Sequence, residues 1–291
     1  MIGPLPRRAS NGKPMYRLLR FIPKNHLSLL VGKLVHIPLP RPVAQWAVSR
    51  FAKAFSIDRE SASKPLASYP SIGAFFTRDL KEGARPVEGA LVSPVDGTLR
   101  NYGRIGSGEL EQIKGKSYSV KEFLGGDALA GSFDGGVFFN LYLSPQDYHH
   151  VHSPVAGKVI RSVHVPGKLW PVNDWSMANI DNLFSVNERI ISYVDSRFGL
   201  VAVVMVGATN VGRMSVVYDS FISNSRPGRR RTEIHDYDKP YELEAGARLG
   251  TFHMGSTVVM LFRPGTIDLA AVHLPQPTKL RYGQSLITQP R

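Results

Sequence analysis

The chain has 291 residues, 43% of them hydrophobic, with 27 glycines, 21 prolines and no cysteine. That length suits one large domain or one domain with an appendage, and the lack of cysteine excludes disulfides, thiolate catalysis and cysteine–zinc sites. A formal net charge of +13 points either to an anionic partner, nucleic acid or an acidic membrane surface, or to solubility alone.

Residues 1–14 are basic, polar and rich in Gly and Pro, the composition of a mobile tail. No clean apolar segment with a small-residue cleavage site follows them, and no run reaches the roughly 18–20 apolar residues that span a bilayer. The chain therefore reads as soluble or membrane-surface, and not as secreted. From Met15 to Phe55 the pattern is helical. Leu27, Leu30, Val31 and Leu34 fall at i, i+3, i+4 and i+7. After the Pro38–Pro42 break a second stripe runs Val43, Ala47, Phe51, with Trp46 and Phe55 beside it. Lys24, Lys33, Arg41, Arg50 and Lys53 punctuate both stripes. Basic amphipathic helices bearing Trp and Phe suit a membrane interface; packing on the protein's own core is the other reading, and both can hold for different faces.

Residues 56–71 form a Ser/Pro-rich connector, and Ile72–Leu80 is a short apolar segment carrying Phe75-Phe76-Thr77-Arg78. After Pro86 the character changes to strands. Gly136–Leu143, Arg189–Val194 and Leu200–Val206 are β-rich runs bounded by turn signals, and the last is continuously apolar, as in a strand buried on both faces. The expected fold is α+β and mainly β. A β-sandwich or barrel-like core spans residues 86–291, preceded over 1–85 by a tail and an amphipathic helical segment. Ser93-Pro-Val-Asp-Gly-Thr-Leu99 is echoed sixty residues on by Ser153-Pro-Val-Ala-Gly-Lys-Val159. Pro and Gly at that spacing favour a turn feeding a strand. The echo suggests two related β-modules facing each other, with chance similarity of two turns as the alternative.

Four segments carry the chemistry: Ser93-Pro-Val-Asp-Gly97, Asp147-Tyr-His-His-Val-His-Ser-Pro154, Val206-Gly-Ala-Thr209 and Phe252-His-Met-Gly-Ser-Thr257. Singly each is a common turn or strand end. Together and in this order they resemble the bacterial and mitochondrial phosphatidylserine decarboxylases. That family carries a Pro-x-Asp-Gly turn, an Asp-Tyr-His-x-x-His-x-Pro segment, a Val-Gly-Ala-Thr strand end and a Leu-Gly-Ser-Thr cleavage site. The likeness runs from about Phe75 to about Pro264. Met254 replaces the usual Leu, a nearly volume-conserving change, and His150 is an additional histidine between the two that match.

The resemblance implies a proenzyme that cuts itself between Gly255 and Ser256, into a β chain of residues 1–255 and an α chain of residues 256–291. Ser256 Oγ attacks the Gly255 carbonyl, the resulting ester eliminates the upstream chain, and hydrolysis of the dehydroalanine leaves a covalent pyruvoyl group and ammonia. This cofactor then forms a Schiff base with phosphatidylserine, and CO₂ leaves to give phosphatidylethanolamine. The residue types suit the task. Gly255 admits close approach to the attacked carbonyl, an attacker on the next residue gains effective molarities of roughly 10⁵–10⁸ M, and the serine hydroxyl needs a base. By resemblance His152 is that base, with Asp96 holding its tautomer, and His149 is the acid that protonates the carbanion; the Thr257 hydroxyl can itself donate a hydrogen bond near the developing oxyanion. The resemblance further implies a homodimer on an anionic membrane surface, at the cytoplasmic face of the bacterial inner membrane.

On an extended strand residues 149 and 152 point to opposite faces, whereas 150 and 152 share one. Convergence of His149 and His152 therefore requires Asp147–His150 to leave regular strand geometry, and Ser144–Asp147 does read as a turn or helix start. Two rival readings remain. His150-x-His152 with Asp96 resembles the ligand set of a zinc hydrolase, although nothing in that chemistry needs Gly-Ser-Thr. Arg226 and Arg229–Arg231 form a basic cluster, but no base-stacking motif accompanies it. Neither a metal nor a nucleic acid is expected.

Overall fold

The computed structural model describes residues 23–113, 116–209, 213–220, 222–224, 231–255 and 257–287. The 1–14 tail, Ser256 and, of the basic cluster, Arg226, Arg229 and Arg230 lie outside the described residues. Among the described residues two helices come first, α1 (Lys24–His36) and α2 (Arg41–Ala54). Proline sets their limits: α1 follows Pro23 and ends before Pro38, and α2 has Pro in its first turn, where no amide donor is needed.

Both helices are turned differently from a simple core-facing stripe. On α1 the buried residues are Lys24, Ser28 and Gly32, while Leu30 and Leu34 are each 54% exposed. The inner face is held by polar contacts. The Lys24 ammonium lies 3.7 Å from the Trp170 ring centroid, Asn25 donates to the Gly167 carbonyl at 2.9 Å, and Asn224 donates to the Asn25 carbonyl at 3.1 Å. On α2 the buried face is Ala44, Val48 and Ala52, one position on from the Val43–Ala47–Phe51 stripe, and Trp46 is 67% exposed. Val48 and Ala52 build a small core with Ile57, Tyr69 and Phe75. Phe75 belongs to α3 (Ile72–Phe76), whose first turn is capped by the Ser71 hydroxyl accepting from the Ala74 amide.

Thirteen strands follow among the described residues: β1 Gly97–Arg104, β2 Glu109–Ile113, β3 Lys116–Ser119, β4 Val137–Tyr142, β5 His150–His152, β6 Gly157–Val165, β7 Arg189–Ser196, β8 Gly199–Val206, β9 Met214–Val216, β10 Glu233–Leu243, β11 Arg248–Phe252, β12 Thr257–Phe262 and β13 Thr278–Leu280. Eight form one antiparallel sheet in the order β10-β6-β7-β8-β12-β4-β1-β13; β5-β11-β9 form a second sheet and β2-β3 a hairpin. The fold is thus mainly β with a helical N-terminal part. β4, β7 and β8 fall on the three runs expected from sequence, and β8 and β12 are buried along nearly their whole length, as continuous apolar runs require.

The large sheet has two matching halves. β10-β6-β7-β8 mirrors β13-β1-β4-β12, and the halves join where β8 pairs with β12. The sequence echo opens the equivalent strands β6 and β1. In each turn the serine hydroxyl donates to the carbonyl two residues on, Ser93 to Val95 at 2.8 Å and Ser153 to Val155 at 2.7 Å. Each strand then shifts register at the same place, after Leu99 and after Val159. The turns also bind each other: the Val92 amide donates to Pro154 at 2.9 Å and the His152 amide to Pro94 at 2.8 Å. The echo therefore marks two related β-modules in contact. The second is inserted into the first, which begins at β1 and β4 and is completed only by β12 and β13.

Candidate active site

β12 begins at Thr257, between Tyr142 at the end of β4 and Val206 at the end of β8. The bond preceding position 256 therefore lies at the seam of the two halves. Thr257 is buried, and its Oγ1 has no hydrogen-bond partner among the described residues. Gly255, on the other side of position 256, is pressed against His149. A Cβ built on Gly255 falls 2.6 Å from His149 Nε2 and 3.4 Å from the Leu143 carbonyl oxygen, so no side chain fits without displacement.

His149 is fully buried and packed against Phe76 of α3, with ring centroids 3.9 Å apart and planes tilted by 38°. Its Nδ1 donates to the backbone carbonyl of Asp147 at 2.8 Å. A carbonyl only accepts, so the proton sits on Nδ1 and Nε2 presents its lone pair. Nε2 has no hydrogen-bond partner among the described residues. Burial, reinforced by the nearby Arg78 charge, pushes the imidazole pKa down to about 3, against the Asp147 carbonyl, which raises it. A neutral base aimed at Gly255, with an unpartnered hydroxyl on Thr257, is the kind of unsatisfied buried pair that marks a reacting site.

Asp147 fixes this arrangement. Its carboxylate accepts from the Ser144 amide at 2.8 Å, from the Ser144 hydroxyl at 2.7 Å and from Lys279 Nζ at 2.6 Å. Residues Asp147–His149 lie outside any strand, as expected, whereas His150 opens β5 and pairs with Thr251, so the expected break in strand geometry stops one residue short. Beside Gly255 opens a cavity of about 270 Å³ with Phe51, Phe55, Phe76, Val172 and Met254 in its wall. Its lining is mostly apolar, and it reaches α2 on one side and the candidate scissile bond on the other.

Asp96 and His152 lie elsewhere. His152 is stacked on Tyr282, with centroids 3.9 Å apart and planes 3° from parallel. Its Nδ1 donates to the Gly246 carbonyl at 2.6 Å, and its Nε2 accepts from the Tyr148 hydroxyl at 3.3 Å. The tautomer of His152 is thus set by Gly246, where the sequence suggested Asp96. The Asp96 carboxylate is engaged by Arg85, whose Nη2 donates at 2.7 Å, and by the Tyr282 amide at 2.9 Å. Burial pushes His152 down to about 4, opposed by the Gly246 carbonyl. The structure therefore brings His149 together with Gly255 and Thr257, and groups His152 with Tyr148, Tyr282 and, through Tyr282, Asp96. His149 and His152 face different sides and do not converge.

The additional His150 has both ring nitrogens engaged, Nδ1 with the Thr251 hydroxyl at 2.7 Å and Nε2 with the Thr77 carbonyl at 3.1 Å. No group of three His, Cys, Asp or Glu side chains is placed to hold a metal ion among the described residues, and nothing in the site favours the zinc reading. Sequence reasoning missed Asp147, Phe76, Tyr148, Tyr282 and Arg85. The first three sit inside motifs already singled out, Asp-Tyr-His and Phe-Phe-Thr-Arg, as neighbours of the residues chosen. Tyr282 and Arg85 carry no local signal.

The sequence profile of the phosphatidylserine decarboxylase family matches residues 72–288. Among similar proteins, the phosphatidylserine decarboxylase proenzyme of Myxococcus xanthus is 42% identical over 87% of this chain and 91% of its own. That of Anaeromyxobacter sp. is 42% identical over 95% and 98%, and that of Brevibacillus brevis 38% identical over 94% and 96%. With matches of this extent covering both the seam and the His149 pocket, the chain belongs to the phosphatidylserine decarboxylase family and is a decarboxylase of that class.

Proposed function

We propose that the chain decarboxylates phosphatidylserine to phosphatidylethanolamine with a pyruvoyl group cut from its own Ser256, and that His149 is the side chain that serves the bond being broken. The observation that carries this reading is the lone pair of His149 Nε2, buried and without a partner among the described residues, against a glycine with no room for a side chain. The residues fit such a group: Gly255 yields the attacked carbonyl, Thr257 Oγ1 is a donor with no partner among the described residues, and the adjoining cavity is mostly apolar. A pyruvoyl group supplies a ketone joined to an amide, which accepts the electrons of the broken carbon–carbon bond.

A neutral imidazole can take the Ser256 hydroxyl proton during cleavage and return a proton to carbon later, so one residue can serve both stages. The motif match instead gives His152 the first task, with Asp96 behind it, and reserves His149 for the second. The geometry favours His149 for both, because His152 is turned to Gly246 and Tyr148. A denaturing gel and an activity assay decide. Ser256→Ala should remain one chain with no activity, where the unaltered protein runs as 1–255 and 256–291. His149→Ala should remain uncut. A His149→Ala chain that cuts normally and only decarboxylates poorly returns the cleavage step to His152. An active, uncut unaltered protein overturns the reading as a whole.

The membrane is the proposed site of action. Leu27, Leu30, Leu34 and Ile37 of α1 and its C-terminal end, and Val43 and Trp46 of α2, face outward, with exposed Lys33, Arg41, Arg50 and Lys53 among them. Apolar side chains outward among cations is the pattern of an interfacial helix on anionic lipid. No helix among the described residues is long and apolar enough to cross a membrane. Phe51 and Phe55 of the α2 region line the Gly255 cavity, so lipid gathered on these helices is delivered to the site. The division at residues 85 and 86, the homodimer and the cytoplasmic face of the bacterial inner membrane are further proposals, supported by the resemblance.

A further inference from the structure

Arg78 follows α3 and is 3% exposed. Its Nε and Nη1 have no hydrogen-bond partner among the described residues, and Nη2 meets the Gln146 carbonyl only at 3.5 Å. The guanidinium lies 5.1 Å from the Phe75 ring centroid. A buried cation with unspent donors is costly unless something anionic meets it.

Arg78 forms part of the wall of a second cavity, of about 200 Å³, that shares no lining residue with the cavity at Gly255. The two lie on either side of the segment leading to His149: Pro145 lines one, Gln146 and Asp147 the other. The other charges of the second cavity are largely spoken for. Asp96 holds Arg85 and Asp147 holds Lys279, while the Asp58 carboxylate accepts from the Glu60 and Ser61 amides. With Arg281 also in the wall, one positive charge is left over, and the deepest cation is the one with N–H groups that lack a partner among the described residues.

We propose that this cavity is a binding site for a phosphate-type oxyanion, held by the Arg78 guanidinium. A planar guanidinium matches the geometry of a phosphate oxygen pair, whereas an ammonium is a point charge. The anion can be free orthophosphate or the phosphate of an anionic lipid head group, since the connector after α2 supplies Ser56 and Asp58 to the rim. The cavity is distinct from that at Gly255, although Arg78 and Asp147 also bear on His149, and binding there does not depend on cleavage.

Isothermal titration of the full-length protein with orthophosphate tests it, together with anomalous diffraction from crystals soaked in tungstate. Expected are saturable binding and an anomalous peak against the Arg78 guanidinium. Arg78→Lys, which keeps the charge and loses the planar fork, should weaken orthophosphate binding about tenfold or more. Vesicles of phosphatidylcholine with phosphatidic acid, added to the phosphate complex, identify the source. Displacement of phosphate by these vesicles and not by pure phosphatidylcholine assigns the site to a lipid head group; lack of displacement assigns it to the free ion. Absence of both heat and anomalous peak overturns the proposal, as does equal affinity in a folded Arg78→Lys protein. If that variant does not fold, the position of the peak in the unaltered protein decides.

Discussion

Gly255 is fixed by what touches it. A methyl group there meets His149 Nε2 at 2.6 Å, and the ring has no space to retreat because Phe76 backs it at 3.9 Å. Gly255→Ala should therefore slow self-cleavage about 100-fold, the usual cost of displacing reacting groups by an ångström, as read from the uncut fraction over time. A variant that cuts at the normal rate means that His149 does not bear on this bond. The same burial sets an acid limit. His149 is held to about 3 and His150, His152 and His253 to about 4, each mainly by desolvation, whereas an unfolded chain protonates them near 6.5. Between those values the unfolded state binds more protons, so stability is complete above about pH 6.5 and falls as the pH drops toward 4. The slope is up to about 1.4 kcal/mol per pH unit for each histidine. Thermal melts at pH 7, 6 and 5 should show a steadily falling Tm; a flat profile contradicts the buried neutral imidazoles.

At the scale of elements, α1 shows how far periodicity reaches. The spacing of Leu27, Leu30, Val31 and Leu34 marked a helix with one apolar stripe, and the helix is there. Which way the stripe faced was not legible, because the contacts that decide it, Lys24 on Trp170 and Asn25 with Gly167 and Asn224, join residues more than 140 positions apart. Since Leu30 and Leu34 are more than half exposed, replacing both with Asp should cost little stability while sharply weakening binding to phosphatidylserine-containing vesicles. Sedimentation with vesicles and a melting curve on the same variant separate the two effects. Unchanged sedimentation removes α1 from the membrane face. The strand runs were easier to see: β4, β7 and β8 are dense in β-branched and aromatic residues, and β8 is continuously apolar, as a strand buried on both faces is. The edge strand β10 was not legible. It is mostly exposed, carries Asp, Lys and Pro, and shifts register between Asp236 and Tyr241, features that blunt an unpaired sheet edge and erase the apolar signal.

At the scale of the molecule, the Ser-Pro-Val-x-Gly echo disclosed two modules, but not that one interrupts the other. The motif order alone placed Gly255 and the histidine segment in one site. It did not separate His149 from His152, because that depends on a turn at Asp147 pinned by Lys279 from the far end of the chain. The inserted arrangement puts β12 between β4 and β8 and β13 beside β1. Residues 256–291, once cut free, should thus remain bound: the mature protein is expected to show two bands on a denaturing gel and one species by native mass spectrometry. Loss of the smaller piece under native conditions would mean that these pairings do not hold it.

If the proposed cut is made, a middle strand comes from a severed segment, and that changes what unfolding means. Before the cut, denaturation and recovery concern a single molecule, and the rate of recovery is indifferent to dilution. Afterwards the sheet can be rebuilt only by collision of two separate polypeptides, one of them short and apolar enough to aggregate first. On the proposed cleavage, self-processing would make the fold a one-way product, kept by slow unfolding more than by equilibrium. In dilution series, Ser256→Ala should refold at a constant rate, and the processed form should recover more slowly at each step down in concentration.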